Sequence, residues 1–217
     1  MAEKILLSKD KDVKNVDEHN SEIVHGNEAE NAEQKSKWSI LERLTFKSAK
    51  EYKVIAKSVI IVVIFALLDH LTKYLIVTNY DYEARQYTVV IKNLFNINHV
   101  HNKGAAFGIL EGKSFLLLMV AVIATVVIGV FLRKITEGYK ERYYALALVL
   151  SGIIGNSVDR AIRGFVVDFL DFYVVINNKA HHWPSFNVAD ICICVGVGVL
   201  MISFLFRKPD EEIDANS

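Results

Sequence analysis

Residues 114–132, SFLLLMVAVIATVVIGVFL, contain no charged side chain. A bilayer core of about 30 Å asks for roughly 20 apolar residues in helical form, and this run meets that demand. Residues 54–77, 143–160 and 188–206 are nearly as apolar, each with charged or amide side chains near one end. A single soluble core has no use for four such runs. The chain therefore reads as a mainly α, polytopic membrane protein with four transmembrane helices. Between the first two spans, YTVVIKNLFNINHVHN (residues 87–102) is rich in β-branched and aromatic residues with partial alternation, which predicts a small extracytoplasmic β element.

Basic residues set the direction. Arg43, Lys47, Lys50, Lys53 and Lys57 lead into the first span, Arg133, Lys134, Lys140 and Arg142 fill the second loop, and Arg207 and Lys208 follow the fourth span. The positive-inside rule makes all of these cytoplasmic and puts both termini inside. No early apolar run suits a cleaved signal peptide, so the first span is expected to be an uncleaved anchor. Three regions follow: a polar, disordered cytoplasmic extension (1–50), a four-helix membrane-embedded domain (51–208) and a short cytoplasmic tail (209–217). Within the extension, Trp38, Ile40, Leu41 and Leu44 share one face of a possible short surface helix.

Over the whole 217 residues, 25 Lys+Arg balance 25 Asp+Glu, which gives no electrostatic reason to expect nucleic acid. The expected surroundings are membrane lipids. Cys192 and Cys194 are two apart in an apolar segment, so a helix points them to different sides and no disulfide between them is expected. They read as buried packing thiols.

With this topology the polar residues of the spans converge near the outer face. Asp69, Thr72 and Lys73 fall late in the first span, Asn156, Asp159 and Arg160 close the third, and Asn187 and Asp190 open the fourth. Spacings of three or four put each set on one helical face. Asp168 lies eight residues beyond Arg160 and rejoins the group through a short turn that Gly164 permits. Ion pairing between helices would account for Asp69 with Lys73, or Asp159 with Arg160. It does not account for Asp168 and Asp190, which have apolar neighbours and no basic residue within a helical turn. Two carboxylates of this kind, if brought together, share a proton, because both cannot ionise cheaply. Such a pair is the machinery of aspartyl proteolysis.

Other chemistries fit less well. His99 with His101, and His181 with His182, form no HExxH helix and read as interfacial loop histidines. Ser151 has no histidine on a matching face. Neither a metal nor a cofactor is expected. A transporter would favour internal repeats and midplane polar residues, whereas these lie toward one face.

Five motifs, DHLTK (69–73), NKGAAFG (102–108), GNSVDR (155–160), GFVVDFLDF (164–172) and FNVAD (186–190), resemble in order those of lipoprotein signal peptidase, the bacterial type II signal peptidase. The resemblance covers roughly residues 54–206. Ser151-Gly152 stands where the family has Gly-Gly, a small-for-small change expected to spare helix packing.

The resemblance implies a membrane-embedded aspartic endopeptidase of the bacterial inner membrane. Its substrates would be diacylglyceryl-modified prolipoproteins, cut just before the lipidated cysteine by Asp168 and Asp190. It implies that Asn156, Arg160 and Asn187 position substrate or the aspartates, and that Asp159 holds Arg160. Asn102 and Gly104, with Ala105 and Ala106, would allow close approach to the substrate backbone. Asp69 and Lys73 would steady the first span or contact the substrate, and Asp171, off the catalytic position, would support the fold or the interface.

Overall fold

In the computed structural model, residues 49–104 and 111–207 are described here. The expected disorder of the extension, its surface helix, most of NKGAAFG and the short tail lie outside them. Four helices are long and apolar enough to cross a membrane: α1 (Ala49–Asn79), α2 (Ser114–Thr136), α3 (Lys140–Arg163) and α4 (Val188–Phe206). Their apolar side chains point outward. Val63 and Leu67 of α1, Phe115, Ile123 and Val130 of α2, and Met201 and Leu205 of α4 are all exposed, and so large an apolar surface belongs in lipid.

Helices α3 and α4 form the tightest pair because small residues let their backbones meet. A Cβ at Gly152 would sit 2.3 Å from the Ala189 carbonyl oxygen, and one at Gly196 would sit 2.6 Å from the Ala145 carbonyl oxygen. Ser151 is buried, and its hydroxyl donates to the Leu148 carbonyl at 2.7 Å. At the other end of the bundle the α2–α3 turn is closed by Glu137 and Gly138, both at positive φ. The guanidinium of fully buried Arg142 pairs with Glu137 and donates to Ser203 Oγ at 2.9 Å.

The β element is larger than the sequence reading anticipated. Strands β1 (Tyr87–Ile91), β2 (Phe95–Asn102), β3 (Val166–Ile176) and β4 (Lys179–His182) form one antiparallel sheet in that order. Strand β3 escaped notice because its apolar run looks like a loop between two spans. Its evidence was the Asn177-Asn178 pair, both at positive φ, which closes a two-residue hairpin of the kind asparagine favours. Gly164, at φ 78°, ends α3 and releases the chain directly into β3. Val167 and Phe169 then pack against Ile76 of α1, which seats the sheet on the ends of the helices that carry the polar residues.

The segment before α4 runs beside β3. Phe186 exchanges backbone hydrogen bonds with Leu170, donating at 3.2 Å and accepting at 2.9 Å. This pairing brings the start of α4 alongside Asp168. Cys192 is buried as expected, but Cys194 is exposed, since the same helical rotation that buries one thiol turns the other outward.

Gly152→Ala should force α3 and α4 apart and cost about 1–3 kcal/mol through overpacking. Gly198→Ala, where an added Cβ meets nothing within 4 Å, should cost nothing. Thermal unfolding of the two variants in detergent checks the contrast.

Candidate active site

A lysine with no exposure to solvent lies under the sheet. Lys73 Nζ donates to Asn156 Oδ1 at 2.9 Å and lies 2.8 Å from Asp69 Oδ2 and 3.1 Å from Asp159 Oδ2. An ammonium has three N–H groups, and three oxygens surround this one, one as a hydrogen-bond acceptor and two as ion-pair partners. The carboxylates work in turn on other elements. Asp69 Oδ1 accepts from the Ala189 amide of α4 at 2.8 Å. Asp159 pairs with Arg163 through Oδ1 and accepts from the Val167 amide of β3 at 3.2 Å through Oδ2.

Asn156 passes this order on to the site. With its oxygen bound to Lys73, its amide nitrogen is turned to Asp190 Oδ1, to which it donates at 2.8 Å. Asn187 completes the frame. As the N-cap of α4 it accepts from the Asp190 amide at 3.0 Å, while its own amide donates to Asp190 Oδ2 at 3.2 Å. This reciprocal capping box fixes the Asp190 carboxylate at the positive end of the helix dipole. The same Asn187 donates through Nδ2 to Asp168 Oδ1 at 2.6 Å. One buried asparagine therefore holds both carboxylates.

Asp168 is 2% exposed. Its other oxygen accepts from Asn102 Nδ2 at 2.9 Å, and Asn102 Oδ1 in turn accepts from the Gly104 amide at 3.0 Å. Burial, and then the nearby charge of Asp190, push the Asp168 carboxyl up to about 7.

Around the two acids lies a cleft of about 1020 Å³. Asn102, Gly104, Asn156 and Arg160 line its polar end, and Trp183, Phe186, Ile191 and Val195 give it an apolar wall. The structure thus brings together ten of the residues singled out from the sequence, Asp168, Asp190, Asp69, Lys73, Asn102, Gly104, Asn156, Asp159, Arg160 and Asn187, while Ala105 and Ala106 lie outside the described residues.

Two details differ from the sequence reading. Asp159 makes its close ion pairs with Lys73 and Arg163, while Arg160 reaches across to donate to the Gly104 carbonyl at 3.2 Å. Adjacent helical positions diverge by about 100°, which separates Asp159 from Arg160, whereas Arg163 is one turn on; that spacing was available in the sequence. The histidines are not loop residues either. His99 and His101 lie in β2 and His182 in β4. His101 is stacked between Tyr82 and Phe165, with centroids at 3.6 and 3.8 Å, and burial holds its pKa down at about 4. Among the described residues no cluster of His, Cys, Asp and Glu could hold a metal ion.

Comparison with known proteins gives the family. A family model for signal peptidase (SPase) II matches residues 60–206. The chain belongs to the signal peptidase II family. A lipoprotein signal peptidase from Geobacter sulfurreducens is 43% identical over 64% of this chain and 85% of its own length. Another from Brevibacillus brevis is 41% identical over 70% of this chain and 97% of its own. A bacterial membrane enzyme solved by the in meso method at 2.3 Å superposes with a TM-score of 0.63 at 30% identity, covering 73% of this chain and 94% of that one. This peptidase is accordingly a multi-pass membrane enzyme of the aspartic type.

Replacing Lys73 by Met should leave Asp69 and Asp159 buried without their shared cation and cost about 3–5 kcal/mol. The Asp69→Asn/Lys73→Met double variant should recover part of that loss. Unfolding midpoints of the purified single and double variants in one detergent check both.

Proposed function

We propose that Asp168 and Asp190 are the catalytic pair. Together they hydrolyse the bond before the lipidated cysteine of diacylglyceryl-modified prolipoproteins and so remove the signal peptide. The observation that carries this reading is the 2.6 Å bond from Asn187 to Asp168, made by the residue whose capping box also holds Asp190. The relatives are named lipoprotein signal peptidases, and the residue assignment to this chain is ours.

The environments divide the labour. Asp190 accepts from two donors at a helix N-terminus, which aim its carboxylate into the cleft, and it takes a proton from the attacking water. Asp168, deeply buried beside that charge, keeps its proton and donates it to the substrate carbonyl oxygen. When the tetrahedral intermediate collapses, Asp190 gives its proton to the departing amine and Asp168 takes one back from a hydroxyl of the new carboxyl group, which restores the pair. Arg160 Nε is buried without a hydrogen-bond partner among the described residues and lines the same cleft, where it can bind substrate carbonyls. The apolar wall of Ile191 and Val195 receives acyl chains in contact with membrane lipid.

Placement follows from the same logic. The acids sit where α1 and α3 end and α4 begins, and Arg133, Lys134, Lys140 and Arg207 lie at the opposite ends. The positive-inside rule then puts both termini in the cytoplasm and the site at the outer face of the inner membrane, where a lipidated cysteine is held. Residues 51–208 form the peptidase domain.

Asp168→Asn and Asp190→Asn should each lose about a thousandfold or more in cleavage rate, and the double variant little more than either. Asp171→Asn should retain turnover. Initial rates on a diacylglyceryl-modified substrate at matched membrane levels decide this. Near-normal activity in Asp168→Asn would contradict the assignment.

A further inference from the structure

Between the β3–β4 hairpin and the two acids the chain carries an extra residue. Along the hairpin Tyr173 pairs with His182 and Val174 with His181, yet Phe186 pairs with Leu170. Residues 183–185 therefore stand against only 171 and 172, which makes a bulge just before the N-cap Asn187. Bulges re-aim side chains and recur beside active sites. A slip of one residue along β3 would flip the side chains to the other face and take the Asn187 amide away from Asp168. The Trp183 amide still donates to the Phe172 carbonyl at 2.8 Å, but Pro184, next in the bulge, has no N–H to give. The connection needs a hold of another kind.

A buried acid supplies it. Asp171 is 4% exposed and lies on the face of β3 opposite Asp168, the face that packs on α1 through Val167 and Phe169. A carboxylate is costly to bury there, and it takes no part in the reaction steps. Its Oδ2 accepts from Asn96 Nδ2 of β2 at 3.0 Å. His182 Nδ1 of β4 lies 2.8 Å from Oδ1 and 3.0 Å from Oδ2. A carboxylate only accepts, so Nδ1 carries the hydrogen. The His182 ring also stacks on Tyr173, with centroids 4.9 Å apart. Asn96, Asp171 and His182 form a chain across three strands. Its last link joins the final paired residue before the bulge to a strand residue that faces the bulge. Because Nδ1 keeps its hydrogen in both the neutral and the charged ring, the link does not depend on the protonation of His182.

We infer that Asp171 and His182 are positioning residues of the reaction: the Asn96–Asp171–His182 chain fixes the connection across its bulge and so holds Asn187 on Asp168. This rests on the assignment of Asp168 and Asp190 as the catalytic pair. Neither positioning residue is among the described lining of the cleft around those acids, so both act on the rate through geometry and not on substrate binding.

The effect reaches the proton of Asp168. Burial and the charge of Asp190 push that carboxyl up, while the hydrogen bonds from Asn102 and Asn187 favour its ionised form and pull it down. An Asn187 set loose pulls less, and the acid holds its proton to a higher pH. Asp190, Lys73 and Arg160, the charged groups that act on Asp168, are left unsubstituted in the test.

The test uses the full-length enzyme in lipid vesicles, a diacylglyceryl-modified substrate, and rates normalised to folded enzyme. His182→Ala should lower kcat about tenfold at unchanged KM and move the alkaline midpoint of kcat/KM to higher pH. An asparagine side chain puts its amide nitrogen where Nδ1 stands, whereas a glutamine side chain puts it nearer Nε2. His182→Asn should therefore restore both kcat and the midpoint, and His182→Gln should restore neither. His181→Ala, on the opposite face of β4, should change nothing. Should His182→Ala fail to fold, the contrast between His182→Asn and His182→Gln decides alone. Unaltered kinetics in His182→Ala would overturn the inference, as would equal losses in His182→Asn and His182→Gln, or a change confined to KM. None of these outcomes touches the catalytic pair. Near-normal activity in Asp168→Asn would bring down that assignment, and this inference with it.

Discussion

Lys73 has no exposure to solvent, and a cation so placed survives only when its neighbours neutralise it. Its partners belong to three lines of the architecture. Asp69 ties it to the first turn of α4 through the Ala189 amide, Asp159 ties it to the start of β3 through the Val167 amide, and Asn156 is oriented by it toward Asp190. Removing the lysine would therefore disturb more than an ion pair. It would free the amide of Asn156 to turn and would leave two carboxylates repelling each other beneath the site. The small residues of α3 follow from the same arrangement, because a Cβ at Gly155 would stand 2.4 Å from Asp69 Oδ2. The helices approach this closely so that the charges can meet.

The sheet converts that buried order into the proposed reaction site. Because Phe186 pairs with Leu170, the N-cap Asn187 is delivered next to Asp168, two residues from the strand position that the pairing fixes. Both acids are then held by backbone geometry together with asparagine amides, and no cation contacts either of them directly among the described hydrogen bonds and ion pairs. That is what an acid pair needs if it is to retain a proton near neutral pH. A lysine or arginine in direct contact would hold both aspartates ionised and unable to act as acid and base.

Much of this was legible in the residues. Four apolar runs gave the spans, with ends that moved by only a few residues, and the acids flanked by apolar residues pointed to Asp168 and Asp190. The sheet was only half legible. VVDFLDFYVV reads as a loop between two spans because it lacks the apolar–polar alternation of a half-buried strand, and its strand character becomes plain only with the Asn177-Asn178 turn and the pairing to β2. The separate fates of Asp168 and Asp171 follow from parity once a strand is assumed, since an odd spacing sends them to opposite faces. The partner of Asp159 was misread because adjacency in sequence suggested Arg160, although the helix turns that residue elsewhere.

The central claim is that Asp168 and Asp190 share one proton in the active enzyme. Since burial and the charge of Asp190 raise the Asp168 carboxyl to about 7, the acid stays protonated below that pH and is lost above it. The pH dependence of kcat/KM, which reports the free enzyme, is the direct measurement, made on a diacylglyceryl-modified substrate in lipid vesicles. The account predicts an alkaline limb with a midpoint near pH 7 and a fall of about tenfold per pH unit beyond it. A kcat/KM that stays level or rises between about pH 6 and 9 would contradict it.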